Sequence, residues 1–156
     1  LGRKSSSRSE RREDGFTDHL RENSGASVTR AVQTVESMED AMSCVEEACR
    51  DRLSFDTIFA ADDTIAAGAY AGLKHNSRTG SVTILSVGGS PDGKRMVSEG
   101  KIAADAALFP DLTASGAVGY LYGENGSGNY GVREVPVKLI TKYNIDSYDI
   151  DSWEQG

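Results

Sequence analysis

Two adjacent aspartates, Asp62 and Asp63, are the side chains of this sequence best placed to bind a polar molecule. They follow a short apolar run, residues 57–61, that is typical of a strand buried on both faces. After them the apolar residues recur at spacings of three and four, which indicates a helix. We predict that the Asp63 carboxylate caps this helix. Asp62 then lies at the carboxyl end of the strand, where open α/β sheets bind ligands, unless it too is only a helix cap.

No pattern of a catalytic site accompanies these aspartates. Adjacent side chains diverge, so the two carboxylates do not form an acid–base pair. His19 and His75 have no serine or cysteine at a recognisable nucleophile elbow. The run Gly88-Gly89-Ser90 before a predicted helix lacks both the Lys-Ser/Thr ending of a phosphate loop and the spacing of a dinucleotide fingerprint. We therefore expect no enzyme, no cofactor and no metal.

Composition limits the remaining classes of function. With 156 residues the chain has room for one domain, and its net charge is -7 from 17 basic and 24 acidic residues. This acidic balance argues against binding to nucleic acid, which needs a concentrated basic surface. No apolar run approaches the roughly 20 residues of a membrane span.

Cys44 and Cys49 are spaced for neither a local disulfide nor a zinc knuckle, and we expect two buried or half-buried thiols.

The elements that must position these residues alternate between helices and strands. This alternation predicts an α/β fold with a mostly parallel sheet. A Gly/Asn/Ser-rich segment, 123–131, predicts a flexible loop. The predicted helices cover about 9–22, 37–51, 63–73, 91–100 and 110–122, and the predicted strands cover 27–35, 57–61, 82–87, 102–108 and 135–143.

Five segments match, in order along the chain, the motifs of one known family. They are Arg12-Glu13-Asp14-Gly15-Phe16 and the runs 58–69, 86–93, 100–104 and 108–111. Together they resemble the type 1 periplasmic sugar-binding proteins (ribose-binding-protein-like) over roughly residues 1–142. The resemblance implies a three-layer αβα lobe with a mostly parallel sheet. It further implies that this lobe is the carboxy-terminal half of a two-lobe solute-binding domain.

The resemblance also implies how the chain is divided. Residues 1–142 would form the carboxy-terminal lobe, the amino-terminal lobe would be missing, and residues 111–123 would pack on that missing lobe. Residues 143–156 would form an acidic tail. A lobe that folds alone could pair with a second copy as a homodimer, because pairing covers exposed sheet edges and apolar surface.

The resemblance assigns five positions to the ligand site. Arg12 matches a ligand-contacting arginine, a fork of five donors, and Asp62 matches a ligand-binding asparagine. Gly88 stands where the family has a sugar-binding aspartate, Leu108 where ribose binders have glutamine, and Val35 at an aromatic position. The hydrogen bonds lost at these positions are worth about 1–3 kcal/mol each, so we do not expect a pentose bound in the usual way. Either the ligand is less hydroxylated or cationic, or this lobe contributes little to recognition.

The residues alone also allow simpler roles for two of these positions. Arg12 could be a surface arginine on a helix, like its neighbour Arg11. Asp62 could form a salt bridge with Arg12 in an empty site.

The function that the resemblance implies is that of an extracytoplasmic solute-binding protein of an ABC transporter. It would bind a carbohydrate or related small polar ligand between two lobes and present the closed state to a membrane permease. The full-length protein would be periplasmic or extracellular, with a lipid anchor as one option. Two alternatives stay open: the extracytoplasmic sensing domain of a histidine kinase or chemoreceptor, and the effector-binding core of a lactose-repressor-like regulator.

Overall fold

A computed structural model describes residues 1–23, 25–32, 35–121 and 134–153 of the chain. The five predicted helices and four of the five predicted strands are present, whereas the predicted loop at 123–131 lies outside the described residues. In chain order the elements are α1 (Ser7–Asn23), α2 (Met38–Arg50), β1 (Thr57–Phe59), α3 (Asp63–His75), β2 (Thr83–Gly88), α4 (Pro91–Ser98), β3 (Ala104–Ala107), α5 (Pro110–Leu121), β4 (Lys138–Thr141) and a short 3-10 helix (Ile145–Ser147).

The four strands form one sheet in the order β1-β2-β3-β4. Strands β1, β2 and β3 are parallel, and β4 pairs antiparallel with β3. Helices α3 and α4 pack on the sheet face that carries Ile58, Ile84 and Asp105. On the opposite face Phe16 of α1 stacks on Phe59 at a ring-centroid distance of 4.5 Å. The result is the predicted three-layer α/β fold with a mostly parallel sheet.

The strand predicted over 27–35 is wrong for the residues that the structure describes there. Val35 forms one isolated parallel bridge with Arg3. Gly2 donates its N–H to the Val32 carbonyl (2.7 Å), and Val35 donates its N–H to the Gly2 carbonyl (3.1 Å). The alternating pattern could not reveal this, because a strand also needs a neighbouring backbone to pair with, and among the described residues the backbone contacts of this segment are those with Gly2 and Arg3. Val28 is 45% exposed as a result.

Helices α2 and α3 pack closely because α3 presents glycines to α2. A Cβ at Gly68 would lie 2.1 Å from the Met38 carbonyl oxygen, and one at Gly72 would lie 2.8 Å from the Met42 carbonyl oxygen. The predicted apolar stripe of α3 is the face that meets α2, and its Ile65 is fully buried. Side chains this small let two helix backbones approach within the usual packing distance.

The segment after β4 is anchored on helix α4. Lys94 is fully buried, and its Nζ donates to the carbonyl oxygens of Asp149 (3.0 Å) and Ser152 (2.9 Å). Burial lowers the pKa of this ammonium group. Ile145 is buried in the core, so residues 145–152 pack against the lobe.

Helix α5 contains many apolar and small residues but leaves most of its described side chains exposed. Val118 is 51% exposed, and Ala114 and Ala117 are also exposed, while Leu112 is partly buried against the core. Packing of residues 111–123 on a second lobe stays a prediction. Among the described residues, no helix is both long enough and apolar enough to cross a membrane.

Candidate ligand-binding site

Three of the five predicted site residues, Arg12, Val35 and Asp62, lie around the end of strand β1. Arg12 donates from Nη1 to the carbonyl oxygen of Ala61 at 2.6 Å. Asp62 forms its salt bridge with Nε of Arg3, so the alternative pairing with Arg12 is wrong. Arg3 also forms the bridge with Val35 and donates to a nearby backbone carbonyl. Arg3 therefore links Val35 and Asp62 at this edge of the sheet.

Sequence reasoning missed Arg3 as a site residue. No sequence signal marked it, because Arg3 has no preceding apolar run of the kind that residues 57–61 form before Asp62. The Leu1 carbonyl accepts a hydrogen bond from the Ala61 N–H (2.9 Å), and the Leu1 backbone nitrogen donates to the Phe59 carbonyl (2.7 Å). Residues 1–3 therefore run beside β1, and both segments end at the same edge.

The helix cap predicted at Asp63 is instead Asp62. Asp62 is the N-cap of α3: its backbone is extended, and Oδ1 accepts the Ile65 N–H at 3.0 Å. Asp63 is the first residue of the helix and is only 8% exposed. The prediction that Asp63 caps the helix is wrong because the helical backbone already begins at Asp63, which leaves Asp62, with its extended φ and ψ, as the N-cap. The side chain of Asp63 consequently turns inward.

Asp63 ties the end of β2 to the start of α4. Its Oδ1 accepts the Ser86 hydroxyl at 2.6 Å, and its Oδ2 accepts the Ser90 N–H at 3.0 Å and the Ser90 hydroxyl at 2.5 Å. Ser90 is in turn the N-cap of α4 and accepts the Gly93 N–H at 3.0 Å. Both carboxylate oxygens are thus satisfied, as burial of a charged group requires. This network fixes the loop between β2 and α4.

Asp105 is a second buried carboxyl group beneath the same loop. It is fully buried, and Oδ2 accepts the Gly89 N–H at 2.9 Å. Its Oδ1 has no hydrogen-bond partner in the described part of the chain. Burial, and then the neighbouring carboxylate of Asp63, raise the pKa of Asp105 to about 7. Near neutral pH this carboxyl group is therefore partly protonated.

The other two predicted site residues, Gly88 and Leu108, are neighbours at the ends of β2 and β3. Leu108 donates its N–H to the Gly88 carbonyl at 3.0 Å and is half-buried. A Cβ at Gly88 would lie 2.3 Å from Oδ2 of Asp63, so the buried carboxylate occupies the space of a side chain there. Gly89 has a φ of +76°, which favours glycine. The edge thus offers backbone and one apolar side chain at these positions.

Other groups of the described chain do not add a metal site. No cluster of three or more His, Cys, Asp or Glu side chains in it is arranged to hold a metal ion. Cys44 and Cys49 are free and half-buried, as predicted. An apolar cavity of about 370 Å³ lies between α1, residues 26–32 and β1, and Phe16 and Ile58 are among its lining residues. None of the five predicted site residues lines it.

Comparisons with known proteins show similarity of structure only. No protein-family model matches the chain, and no curated protein sequence matches it. The chain is similar to an ABC transporter solute-binding protein from Bacillus halodurans with bound myo-inositol, at a TM-score of 0.82 and 18% identity over 97% of this chain and 53% of that chain. A periplasmic solute-binding protein from Actinobacillus succinogenes with bound D-allose gives a TM-score of 0.85 at 20% identity, over 94% of this chain and 53% of that one.

A third solved structure is the arabinose-binding protein of Geobacillus stearothermophilus. It gives a TM-score of 0.78 at 16% identity, over 95% of this chain and 55% of the other. The chain thus spans about half the length of the solved structures that it matches. Nearly all of this chain is included in each match, so it has the fold of one lobe of the type 1 periplasmic sugar-binding proteins, as predicted.

Proposed function

We propose that this chain is the carboxy-terminal lobe of an extracytoplasmic solute-binding protein that serves an ABC transporter. Its ligand is a carbohydrate or a related small polar molecule, held between this lobe and a second one. The observation that carries the proposal is the arrangement at the carboxyl edge of the sheet. There Arg12 and the Arg3–Asp62 pair surround the end of β1, beside the ends of β2 and β3.

Fold and chemistry both support this edge as the binding site. Open α/β sheets bind ligands outside the carboxyl ends of their strands. A guanidinium group and a carboxylate provide the donors and acceptors that hydroxyl groups need, and unmatched buried polar groups are penalised. Arg12 and Asp62 are only partly buried in this lobe, so they remain accessible to a ligand.

The division into two lobes is supported by the surface that this lobe leaves uncovered. Residues 111–123 would pack on the second lobe, which agrees with the exposure of Val118 and its neighbours on α5. Closure of two lobes around the ligand then makes the bound state recognisable to a partner. That partner is a membrane permease, and the protein works in the periplasm or outside the cell. Its role is binding, without catalysis.

The contacts that this lobe offers differ from those that ribose binders make with a pentose. Gly88 contributes no side chain and Leu108 contributes an apolar one, whereas the family that the chain resembles has an aspartate at the first position and its ribose binders have a glutamine at the second. Carbohydrates of the types found in the similar structures, such as inositol and allose, are the first candidates.

A thermal-shift screen of the full-length protein tests the proposal. The panel contains sugars, polyols, amino sugars, sugar acids and nucleosides, with amino acids as a comparison class. A ligand present at about 100 times its Kd stabilises the folded state by about 2.7 kcal/mol, which raises Tm measurably. We expect at least one carbohydrate to raise Tm. A panel in which no carbohydrate raises Tm would contradict the proposal.

A further inference from the structure

The apolar cavity beside strand β1 (the β1 cavity, about 370 Å³) is bounded by backbone on two sides. One side is the free edge of β1 with its flank, residues 55–59, and the other is the segment 26–32. Helix α1 covers one face of the cavity through Phe16, which stacks on Phe59. Helix α2, which packs on α3, covers the other face through Val45. The cavity therefore has the surroundings of a strand that is buried on both faces.

Strand β1 leaves backbone groups unpaired on the side that faces this cavity. The backbone groups of successive residues in a strand alternate between its two neighbours. Ala60 donates its N–H to the Leu85 carbonyl of β2, so the groups of Thr57 and Phe59 point away from β2. The Phe59 carbonyl accepts a hydrogen bond from the Leu1 nitrogen (2.7 Å). The Phe59 N–H and the Thr57 carbonyl have no backbone partner among the described residues on this side.

Residues 1–3 lie between β1 and the segment 26–32 at one end of the cavity. Gly2 donates its N–H to the Val32 carbonyl (2.7 Å), and the Gly2 carbonyl accepts the Val35 N–H (3.1 Å). The residue before it pairs with β1, so this short run has a partner on each side. The two walls of the cavity are therefore two strand spacings apart at this end, about 9.5 Å. One further strand fits between them.

A strand that extends backwards from Leu1 through the cavity meets partners on both sides. The residue two positions before Leu1 falls opposite the Phe59 N–H and the Thr57 carbonyl, by the alternation of a parallel pair. The residue directly before Leu1 falls opposite the Val32 N–H and the Arg30 carbonyl by the same rule. Such a strand would satisfy the backbone groups on the open edge of β1, as burial of these groups requires.

We propose that the β1 cavity holds the residues that directly precede Leu1 in the full-length protein, inserted as a strand parallel to β1. The inference rests on the proposed function, because residues before Leu1 belong to the two-lobe protein proposed there. The inserted strand supplies the segment 26–32 with a neighbour along its length, which lets the strand predicted over 27–35 form. It also holds Arg3 at the carboxyl edge, where Arg3 pairs with Asp62.

The sequence that precedes Leu1 gives the first test. The cavity follows residues 55–59, a length that about five residues of a strand cover at about 3.3 Å each. We expect about five predominantly apolar residues directly before Leu1, because parallel strands buried on both faces are apolar. Proline is excluded there, since it cannot donate a hydrogen bond to a neighbouring strand. A proline at either of the two positions before Leu1, or a mainly polar segment, would overturn the inference.

Amide hydrogen exchange of the full-length protein, followed by NMR, tests the pairing itself. The N–H groups of Val32 and Phe59 should each exchange at least about 100-fold more slowly than that of Ala31. Ala31 is the internal control, because its N–H points away from the cavity while it belongs to the same segment as Val32. Rapid exchange at either Val32 or Phe59, or equal protection of Ala31 and Val32, would overturn the inference.

Proline substitutions at two adjacent positions test the same register. Arg30→Pro is compared with Arg30→Ala, because both changes remove the ion pairs of this side chain with Glu47 and Asp51. The proline removes an N–H that faces the inserted strand, and Tm should fall by at least about 3 °C. Ala31→Pro removes an N–H that faces away and should change Tm by less than about 1 °C. Equal losses of Tm would contradict the inserted strand.

These results are independent of the carbohydrate screen. The exchange comparison uses the unmodified protein, so it decides the question even if a proline variant does not fold. A protein that binds a carbohydrate while Val32 and Phe59 exchange rapidly overturns the inference and leaves the proposed function standing. Slow exchange at Val32 and Phe59, in a protein that no carbohydrate stabilises, supports the inserted strand and contradicts the proposed function.

Discussion

At the end of strand β1 two adjacent carboxylates have opposite environments. Asp62 lies at the surface, where it caps helix α3 and pairs with Arg3. Asp63 is buried, where serine hydroxyls and a backbone N–H surround it. Of the two aspartates, therefore, Asp62 is accessible to a ligand and Asp63 is not. Asp63 positions the loop between β2 and α4, which forms part of the carboxyl edge of the sheet.

The buried pair of Asp63 and Asp105 makes stability depend on pH. Asp105 has a pKa of about 7 in the folded protein, raised by burial and then by the Asp63 carboxylate, against about 3.9 in an unfolded chain. Folding therefore binds a proton between these values, and the contribution of Asp105 to the free energy of unfolding falls as pH rises from about 4 to about 7. The full loss in the free energy of unfolding is on the order of 4 kcal/mol, and it no longer changes at pH values above both pKa values.

Asp105→Asn tests this prediction, because an amide cannot ionise and its oxygen can still accept the Gly89 N–H. Urea unfolding at about pH 5 and about pH 8 should show that the unmodified protein loses stability relative to the variant as pH rises. Asp92→Asn is the control: Asp92 is exposed and its partner Arg95 lies on the surface, so it should keep the pH dependence of the unmodified protein. An unchanged pH dependence in Asp105→Asn would contradict the assignment.

At the scale of elements, the packing of α2 on α3 depends on two glycines. A Cβ at Gly68 would meet the Met38 carbonyl at 2.1 Å, so Gly68→Ala forces the helices apart. We expect a loss of about 1–3 kcal/mol in the free energy of unfolding, measured by urea titration. Gly15→Ala is the matched control within α1, because a Cβ there has no atom within 4 Å. It should stabilise by about 0.5–1 kcal/mol, since alanine favours helix interiors. Equal effects of the two changes would contradict the close packing.

The helices could be predicted from the sequence because their signals are local. Ser37 and Asp40 form a reciprocal capping box at the start of α2, and Pro91 follows the cap of α4 at Ser90. The strand predicted at 27–35 failed because pairing depends on backbone that is distant in sequence. The cap of α3 predicted at Asp63 was likewise wrong, because the sequence does not show at which of the two aspartates the helical backbone begins. The burial of Asp63 follows from that choice.

The site was only partly predictable for the same reason. Asp62 and Arg12 could be placed by their position after a strand and by a family motif, and the structure puts both at the end of β1. The pairing of Asp62 with Arg3 could not be foreseen, because the two residues are 59 positions apart. Roles in ligand binding for Val35, Gly88 and Leu108 remain predictions.

At the scale of the whole molecule, the chain is one α/β lobe whose carboxyl edge carries Arg12 and the Arg3–Asp62 pair. It spans about half the length of the solved structures that it matches, at 53% of the structures with bound myo-inositol and with bound D-allose. The proposed second lobe would face this edge, cover α5 and supply the other half of the ligand contacts. Under this proposal, recognition by the complete protein would depend on both halves, and Arg12 would be the main contribution of this lobe.

That the carboxyl edge holds the ligand is tested most directly by comparing Arg12→Gln with Arg11→Gln in the full-length protein. The two changes remove the same charge from adjacent residues of α1, one half-buried at the edge and the other exposed. Calorimetric titration with the carbohydrate that stabilises the unmodified protein should show binding at least about tenfold weaker for Arg12→Gln, because hydrogen bonds to a charged group are worth about 1.5–3 kcal/mol. Arg11→Gln should bind normally. Equal affinities in the two variants would contradict a ligand site at this edge.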